Sequence, residues 1–190
     1  AGCVEIRVDL DAEERGQYAA SSNRQKFRIA SENPNKLEVV DHLIGQHVGD
    51  RILVVGQYLN QLRALQKRIG APLITGKTPN KDRETLYNGF RSGEVPVLIV
   101  SKVGNFAVDL PNANVAIQIS GTFGSRQEEA QRLGRILRPK TDRGAAVFYS
   151  IVTRSTRDQD FAQKRQLFLT EQGYRYEIRE VSRNGSNEQP

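Results

Sequence analysis

Short apolar runs alternate along this chain with longer segments whose apolar residues recur every three or four positions. The short runs are typical of strands, and the longer segments are typical of helices that bury one face. Seven runs predict strands: Val4–Val8, Ile52–Val55, Pro72–Thr75, Val95–Ser101, Val115–Ser120, Ala145–Val152 and Tyr176–Val181. Several are apolar at every position, as expected for strands that helices cover on both faces.

The periodic segments predict helices over Leu37–His47, Tyr58–Ile69, Thr78 to about Arg91, Ser125–Leu137 and Thr156–Gln172. Their ends carry the usual signals. Gly70 and Gly173 are suited to terminate helices, Thr78-Pro79 is suited to start one, and Ser125 begins a Ser-x-x-Glu capping box. Strands and helices that alternate at this spacing predict an α/β fold, with a mostly parallel sheet flanked by helices on both faces.

The 190 residues are enough for one compact domain with a sizeable core. We expect a single domain over residues 1–190, in which residues 1–31 form a lead-in and residues 183–190 form a polar tail that frays. Within the lead-in, Ala19–Gln25 has the composition of a loop.

The charge balance and the cysteine content limit the function classes. The chain has 28 Lys and Arg against 22 Asp and Glu, a net charge of +6, which fits a polyanionic partner without proving one. Its apolar runs fall short of the roughly 20 residues that span a bilayer, and its first residues lack a signal-peptide pattern. A single cysteine, Cys3, favours a reducing, intracellular setting. His42 and His47 have no cysteine cluster nearby, so no metal site is predicted.

Gly76-Lys77-Thr78 resembles the end of a phosphate-binding loop, but its surroundings do not fit one. The full motif, Gly-x-x-x-x-Gly-Lys-Ser/Thr, would place its first glycine at Ala71. The residues that should form the open loop instead read as the strand Pro72–Thr75, and Pro79 follows without an N–H to donate. A dinucleotide-binding Gly-x-Gly-x-x-Gly pattern is also missing from the sequence.

The segment Ser125–Arg138 carries the strongest candidate chemistry. At about 100° per residue, Gln131, Arg135 and Arg138 fall in one narrow sector of the predicted helix. Guanidinium groups are always protonated and offer forked donors to phosphate oxygens. An arginine supplied from outside a phosphate cradle can stabilise the charge that develops in phosphoryl transfer. A solvated basic face on a surface helix explains the same pattern, so both interpretations stay open.

A second cluster begins where the predicted strand Val95–Ser101 ends. Ser101 supplies a hydroxyl, Lys102 a cation, and Asp109 a carboxylate before a Leu-Pro pair. Open α/β sheets bind ligands at the carboxyl ends of their strands. Ser101 and Lys102 could therefore meet a phosphate, and Asp109 could accept from a ribose hydroxyl. Ser101 as a strand-end cap and Asp109 as a turn residue are alternatives that stay open.

Together, these segments resemble the second motor domain of the XPB helicases. The segments that carry the resemblance are Ser101–Pro111, Ala113–Ser120, Gly124–Arg138 and Lys164–Tyr174. The Gln-x-x-Gly-Arg-x-x-Arg pattern in the third segment is specific to superfamily-two motors, and the Asp-Leu-Pro and Gln-Gly-Tyr stretches narrow the resemblance to this branch. It spans residues 33 to 178, and Gly121–Gly124 is more similar to the bacterial members. The fold that the resemblance implies is RecA-like.

The resemblance implies an ATP-facing set of residues. Arg135 would meet the terminal phosphate, Arg138 would act as arginine finger, and Gln131 would help to position the nucleotide. Gly104 and Asp109 match the motif that senses the nucleotide and couples it to DNA.

The resemblance also implies a DNA-facing set. Ser101, followed by Lys102, stands where related motors contact a DNA phosphate. Thr78 and Arg83 match a turn and helix start that contact the backbone, and Gln57 ends a strand that adds another contact.

Such motors bind ATP and Mg²⁺ mainly through a first RecA-like domain, which supplies the phosphate loop, its lysine and the acidic magnesium-binding segment. This chain has none of these, so it would hold half an active site and be inactive alone. The implied function is that of the C-terminal motor domain of an ATP-dependent 3′-to-5′ DNA helicase or translocase in DNA repair. The implied partners are DNA, the first motor domain, and a repair nuclease or a repair or transcription complex, with no membrane. The implied location is the cytoplasm with the nucleoid in a prokaryote, or the nucleus in a eukaryote.

Two alternatives belong to other function classes. A non-catalytic nucleic-acid-binding module could keep the fold without hydrolysis. A self-contained ATPase could use Gly76-Lys77-Thr78, in which case the chain alone would bind ATP tightly.

Overall fold

The computed structural model describes residues 2–101, 113–121 and 146–181, which contain seven strands. The strands are β1 (Gly2–Val8), β2 (Ile52–Gly56), β3 (Leu73–Ile74), β4 (Val97–Ser101), β5 (Val115–Gln118), β6 (Val147–Thr153) and β7 (Arg175–Glu180). They form one sheet in the order β3-β4-β2-β5-β6-β1-β7, and each pairing between these strands is parallel. Their bounds lie within two residues of the predicted ones.

Six helices in the described residues connect these strands: α1 (Ala12–Ala20), α2 (Asn23–Ser31), α3 (Asn35–Gln46), α4 (Leu59–Ile69), α5 (Asn80–Ser92) and α6 (Arg157–Glu171). One apolar core joins one face of the sheet to residues such as Leu43 of α3 and Leu62 of α4. A second core joins the other face to Phe90 of α5 and Leu169 of α6. The prediction of a parallel sheet with helices on both faces is confirmed. None of the described helices is both long and apolar enough to cross a membrane.

The N-terminal residues are part of the sheet rather than a lead-in to it. Strand β1 pairs with β6 on one side and β7 on the other. The predicted loop at Ala19–Gln25 is wrong, because only Ser21 and Ser22 separate α1 from α2. These two helices begin at capping boxes, in which Glu14 accepts from the Asp11 N–H and Gln25 accepts from the Ser22 N–H.

The predicted helix ends are confirmed in most of the described helices. Gly70 takes a left-handed conformation at φ 68° where α4 ends, and Gly173 does so at φ 84° just after α6. Thr156 caps α6 by accepting from the Asp158 N–H. Helix α5 instead begins two residues after Thr78, because the Thr78 hydroxyl accepts from the Thr75 N–H and closes a turn. The predicted helix Ser125–Leu137 and the tail 183–190 lie outside the described residues.

Candidate nucleic-acid interface

Three of the predicted DNA-facing residues come together at the carboxyl edge of the sheet. Ser101 is the last residue of β4, and its partner in the register of β2 is Gly56. Gln57 follows Gly56 directly, and the turn that contains Thr78 follows β3, the neighbour of β4. Adjacent parallel strands end at the same edge, which is where open α/β sheets bind their ligands. The predicted contacts on three separate segments therefore share one edge.

The Thr75–Thr78 turn is held closed by its own hydrogen bonds. The Thr78 hydroxyl accepts from the Thr75 N–H at 2.9 Å, and the Thr78 N–H donates to the Thr75 carbonyl at 3.1 Å. The Arg83 guanidinium also donates to the Thr75 carbonyl, at 3.2 Å. A phosphate-binding loop needs its amides turned outward around the ligand, so this turn does not fit one. Lys77 remains exposed at its tip.

The start of α5 places the positive end of a helix dipole at the same edge of the sheet. The first N–H groups of a helix point along its axis, and the helix dipole favours anions there. The exposed side chains of Lys77 and Lys81 flank this start, while Asp82 in the first turn partly offsets the charge. Thr78 and Arg83 therefore shape the turn, and Lys77 is its exposed cation. This arrangement suits contact with a phosphate backbone.

Ser101 is fully buried, and its hydroxyl has no hydrogen-bond partner among the described residues. A buried hydroxyl without a partner is costly. A direct bond from Ser101 to a DNA phosphate would need the adjoining backbone to move. Lys102, the next predicted contact, lies outside the described residues.

Gln57 joins this edge to the end of β5. Its N–H donates to the Ser120 hydroxyl at 2.9 Å, and its side chain lies against Gly121. A Cβ atom on Gly121 would be 2.8 Å from the Gln57 Cβ atom, and Gly121 has a φ of +93°. Gln57 thus contacts the residues from which the chain leaves β5 toward the arginine-bearing segment.

The predicted ATP-facing residues lie outside the described part of the chain. They are Gly104, Asp109, Gln131, Arg135 and Arg138. Their roles stay predictions. Among the residues that the structure describes, no group of three or more His, Cys, Asp or Glu side chains could hold a metal ion.

A buried polar network that the sequence analysis missed lies beside this edge. Lys36, in the first turn of α3, is fully buried, and its Nζ atom lies 2.6 Å from Asp158 Oδ2 and donates to the Ile119 carbonyl at 3.0 Å. Burial lowers the pKa of Lys36, and the charge of Asp158 opposes that effect. The turn Asn33-Pro34-Asn35-Lys36 was the available signal, because three polar residues there immediately precede an apolar helix face.

The network continues to β6 and to the residue after β1. The Thr153 N–H donates to Asp158 Oδ2 at 3.0 Å. The Asn33 amide donates to the Thr153 hydroxyl at 3.2 Å and to the Asp9 carbonyl at 3.0 Å. Side chains from one short turn therefore tie together the carboxyl ends of β1, β5 and β6.

Cations lie over aromatic rings on the helices above the same edge. The Arg28 guanidinium is 5.5 Å from the centroid of the Tyr58 ring, and Lys26 Nζ is 5.5 Å from that of Tyr18. Partial burial raises the pKa of Tyr58, which directly follows Gln57. Such pairs are modestly stabilising, and Glu32, whose Oε2 atom lies 2.7 Å from Arg28 Nε, offsets the charge beside Tyr58.

The sheet order and the clustered edge are those of a RecA-like domain, the class that forms the C-terminal motor domain of helicases. The structure matches the C-terminal domain of the DEAD-box protein Dbp5 with a TM-score of 0.67 at 15% identity, over 95% of this chain and 89% of that one. At this identity the match shows the fold alone. The RecA-like prediction is thereby confirmed.

A family model described as "ERCC3/RAD25/XPB C-terminal helicase" matches residues 1–189, and the chain belongs to this family. It is 55% identical over 178 residues to "DNA 3'-5' helicase XPB" of Kineococcus radiotolerans, covering 94% of this chain and 32% of that protein. It is 53% identical over 181 residues to the protein of the same name from Mycobacterium tuberculosis, covering 95% and 33%. The resemblance to bacterial XPB helicases is confirmed, and the chain spans about a third of the length of these relatives.

Proposed function

We propose that this chain is the second motor domain of an ATP-dependent 3′-to-5′ DNA helicase or translocase that acts in DNA repair. The observation that carries the proposal is the position of Gln57. It lies at the edge formed by β2, β3 and β4 and also contacts Gly121, where the chain leaves β5 for the arginine-bearing segment. A motor needs such a link between its grip on DNA and its ATP pocket. The bacterial relatives favour a place in the cytoplasm, with the nucleoid.

In this proposal the chain supplies one wall of an ATP pocket whose other wall belongs to a first RecA-like domain. Arg135 meets the terminal phosphate, Arg138 stabilises the charge that develops on the transferred group, and Gln131 helps to position the nucleotide. Gly104 and Asp109 couple that site to DNA. Mg²⁺ and the phosphate-binding loop belong to the first domain, which holds most of the ATP contacts.

The DNA side works by contacts to phosphates, which do not depend on base sequence. The start of α5, the exposed Lys77 and the turn shaped by Thr78 and Arg83 bind one stretch of backbone. Gln57 and Ser101 with Lys102 approach it from the neighbouring strands. ATP binding closes the cleft between the two domains and hydrolysis opens it. Alternating grips on the phosphates then move the motor along the strand.

The test is Arg138→Ala in a protein that joins this chain to a first motor domain with an intact phosphate loop. We expect ATP turnover to fall by about 10³-fold or more, as for the loss of an arginine finger, while DNA affinity stays within about threefold. Arg68→Ala is the matched control, because Arg68 is an exposed arginine in the last turn of α4, at the opposite edge. Unchanged turnover in Arg138→Ala would refute the finger assignment.

The same preparations separate the other function classes. A joined protein that binds DNA but has no ATPase activity would indicate a non-catalytic binding module. Titration of the chain alone with fluorescent ATP addresses a self-contained ATPase, for which tight, magnesium-dependent binding is expected. The closed Thr75–Thr78 turn supports weak or no binding instead.

A further inference from the structure

The buried ion pair between Lys36 and Asp158 is a weak source of stability for the fold. Lys36 is fully buried, and the Asp158 side chain is 11% exposed. Withdrawing two charges from water costs free energy that their attraction repays only with good geometry and further hydrogen bonds. Replacing a buried ion pair with well-packed apolar side chains of similar size often leaves the free energy of unfolding unchanged or raises it. The ammonium has a second contact besides its partner, and this contact points to a role beyond stability.

That second contact is the carbonyl of Ile119, one residue after β5 ends. The Ile119 N–H donates to the Val55 carbonyl of β2 at 2.9 Å, and the next residue, Ser120, accepts from the Gln57 N–H. The end of β5 is thus fixed by β2 on one side and by Lys36 from α3. Asp158, on α6, holds the ammonium in place.

The hydrogen bonds around Asp158 fix the position of the Lys36 ammonium relative to the Ile119 carbonyl. The Thr153 N–H donates to the same Oδ2 atom that Lys36 contacts. The Thr153 hydroxyl donates to the Ala30 carbonyl and accepts from Asn33. Hydrogen bonds from α2, from the turn before α3 and from β6 therefore support Asp158, the partner of Lys36. The other hydrogen bond that the Lys36 ammonium donates goes to the end of β5.

We propose that Lys36 is a positioning residue for ATP hydrolysis: through the Ile119 carbonyl it fixes the end of β5, the point from which the chain continues toward Arg135 and Arg138. This inference rests on the proposed function. Two residues past Ile119, Gly121 leads into the stretch that carries Arg135 and Arg138. Displacements of about 1 Å at a reacting centre can cost about 10²-fold in rate. Lys36 acts on these arginines only through the backbone.

The test compares Asp158→Asn with the double variant Lys36→Met/Asp158→Asn in the protein that joins this chain to a first motor domain. Asp158→Asn removes the ion pair. The asparagine keeps a side-chain oxygen that accepts from the Thr153 N–H, and Lys36 keeps the amine that donates to the Ile119 carbonyl. The double variant removes the bond to Ile119 without leaving an unpaired buried charge. We expect the double variant to lower kcat by about tenfold or more relative to Asp158→Asn, with KM for ATP and DNA affinity within about twofold.

A purely structural role predicts a different pattern. Tyr149→Phe is the matched control, since it removes the hydroxyl that His47 Nε2 contacts at 2.7 Å, and His47 directly follows α3 at the opposite end of that helix from Lys36. All variants are assayed well below their melting temperatures. If kcat follows thermal stability across Tyr149→Phe and the double variant alike, the inference is overturned. Should the double variant not fold, Lys36→Gln/Asp158→Asn replaces it, because the shorter side chain keeps a polar group without reaching Ile119.

A background of Arg138→Ala separates this inference from the proposed function. In that background the loss of the Ile119 bond is expected to lower turnover by a smaller factor than in the wild-type background, because one of the two arginines that it positions is gone. An equal loss in both backgrounds overturns the positioning role. If Arg138→Ala alone leaves turnover unchanged, the proposed function fails. If Arg138→Ala is slow but the double variant matches Asp158→Asn, only the role of Lys36 fails.

Discussion

Gly121 and Gln57 are packed so closely that no side chain fits between them. A Cβ atom built on Gly121 lies 2.8 Å from both the Cβ and Oε1 atoms of Gln57, and the φ of Gly121 is +93°. Both facts require glycine, one for space and one for backbone conformation. The contact joins the strand end that we assign to DNA with the residues that follow β5.

Gly121→Ala should destabilise the chain by about 2–4 kcal/mol, since it combines backbone strain with a collision. Chemical denaturation of the two proteins measures this difference. Gly173→Ala is the control for backbone strain alone, because Gly173 has a φ of +84° and nothing within 4 Å of an added Cβ atom. Equal losses in the two variants would show that Gln57 moves away at no cost.

Cys3 should react with a thiol reagent only when the sheet opens. It lies in β1 between two strands and is 2% exposed, so its labelling rate should be about 10²-fold or more below that in denaturant. Val48→Cys in a Cys3→Ala background is the exposed control, since Val48 is 87% exposed. Fast native labelling of Cys3 would mean that β1 is not held in the sheet.

Tyr176 should make stability fall at alkaline pH. Burial and the hydrogen bond that it donates to Glu5 raise the pKa of Tyr176 far above its usual value. Above pH of about 10 the unfolded chain therefore releases a proton that the native chain retains, and the free energy of unfolding falls by up to about 1.4 kcal/mol per pH unit. Below about pH 10, Tyr176 is protonated in both the folded and the unfolded chain, so it does not make the free energy of unfolding depend on pH.

Tyr176→Phe removes that contribution, so its stability should fall less steeply above pH 10 than that of the wild type. Urea denaturation at several pH values between 8 and about 11 gives both slopes. The pKa values of Tyr58, Tyr149 and Tyr174 are also raised, but these residues are present in both proteins and cancel in the difference. Identical slopes would contradict the assignment to Tyr176.

Lys77→Ala should weaken DNA binding in proportion to its loss of one phosphate contact. In the protein joined to a first motor domain, we expect the slope of log affinity against log salt to become shallower by about 1. Lys67→Ala is the charge-matched control, because Lys67 is exposed in the last turn of α4, at the opposite edge of the sheet. A change of the same size in both variants would remove Lys77 from the interface.

The centre of the sheet was predictable because its strands are buried on both faces and therefore read as continuous apolar runs. Ile52–Gly56 and Val97–Ser101 are examples. Glycines with positive φ, such as Gly70, marked helix ends for a local steric reason. The placement of Gln57, Thr78 and Ser101 at one edge followed from the parallel sheet together with the family resemblance.

Other features depend on contacts that no local pattern encodes. Helix α1 has no fully buried residue, so its apolar periodicity is weak, and it begins at a capping box. The role of Lys36 depends on Asp158, which lies 122 residues further along the chain. The burial of Ser101 likewise results from packing across the sheet, and a strand-end serine by itself gives no sign of it.

The position of β1 between β6 and β7 has a consequence for synthesis on the ribosome. Among the described strands β1 is made before the others, and it finds both of its neighbours only after residue 180 has been made. Until then at least one edge of this strand, which carries the buried Glu5, has no partner strand. Co-translational folding of this domain is therefore completed late, and β1 is the stretch that a chaperone has most reason to shield until then.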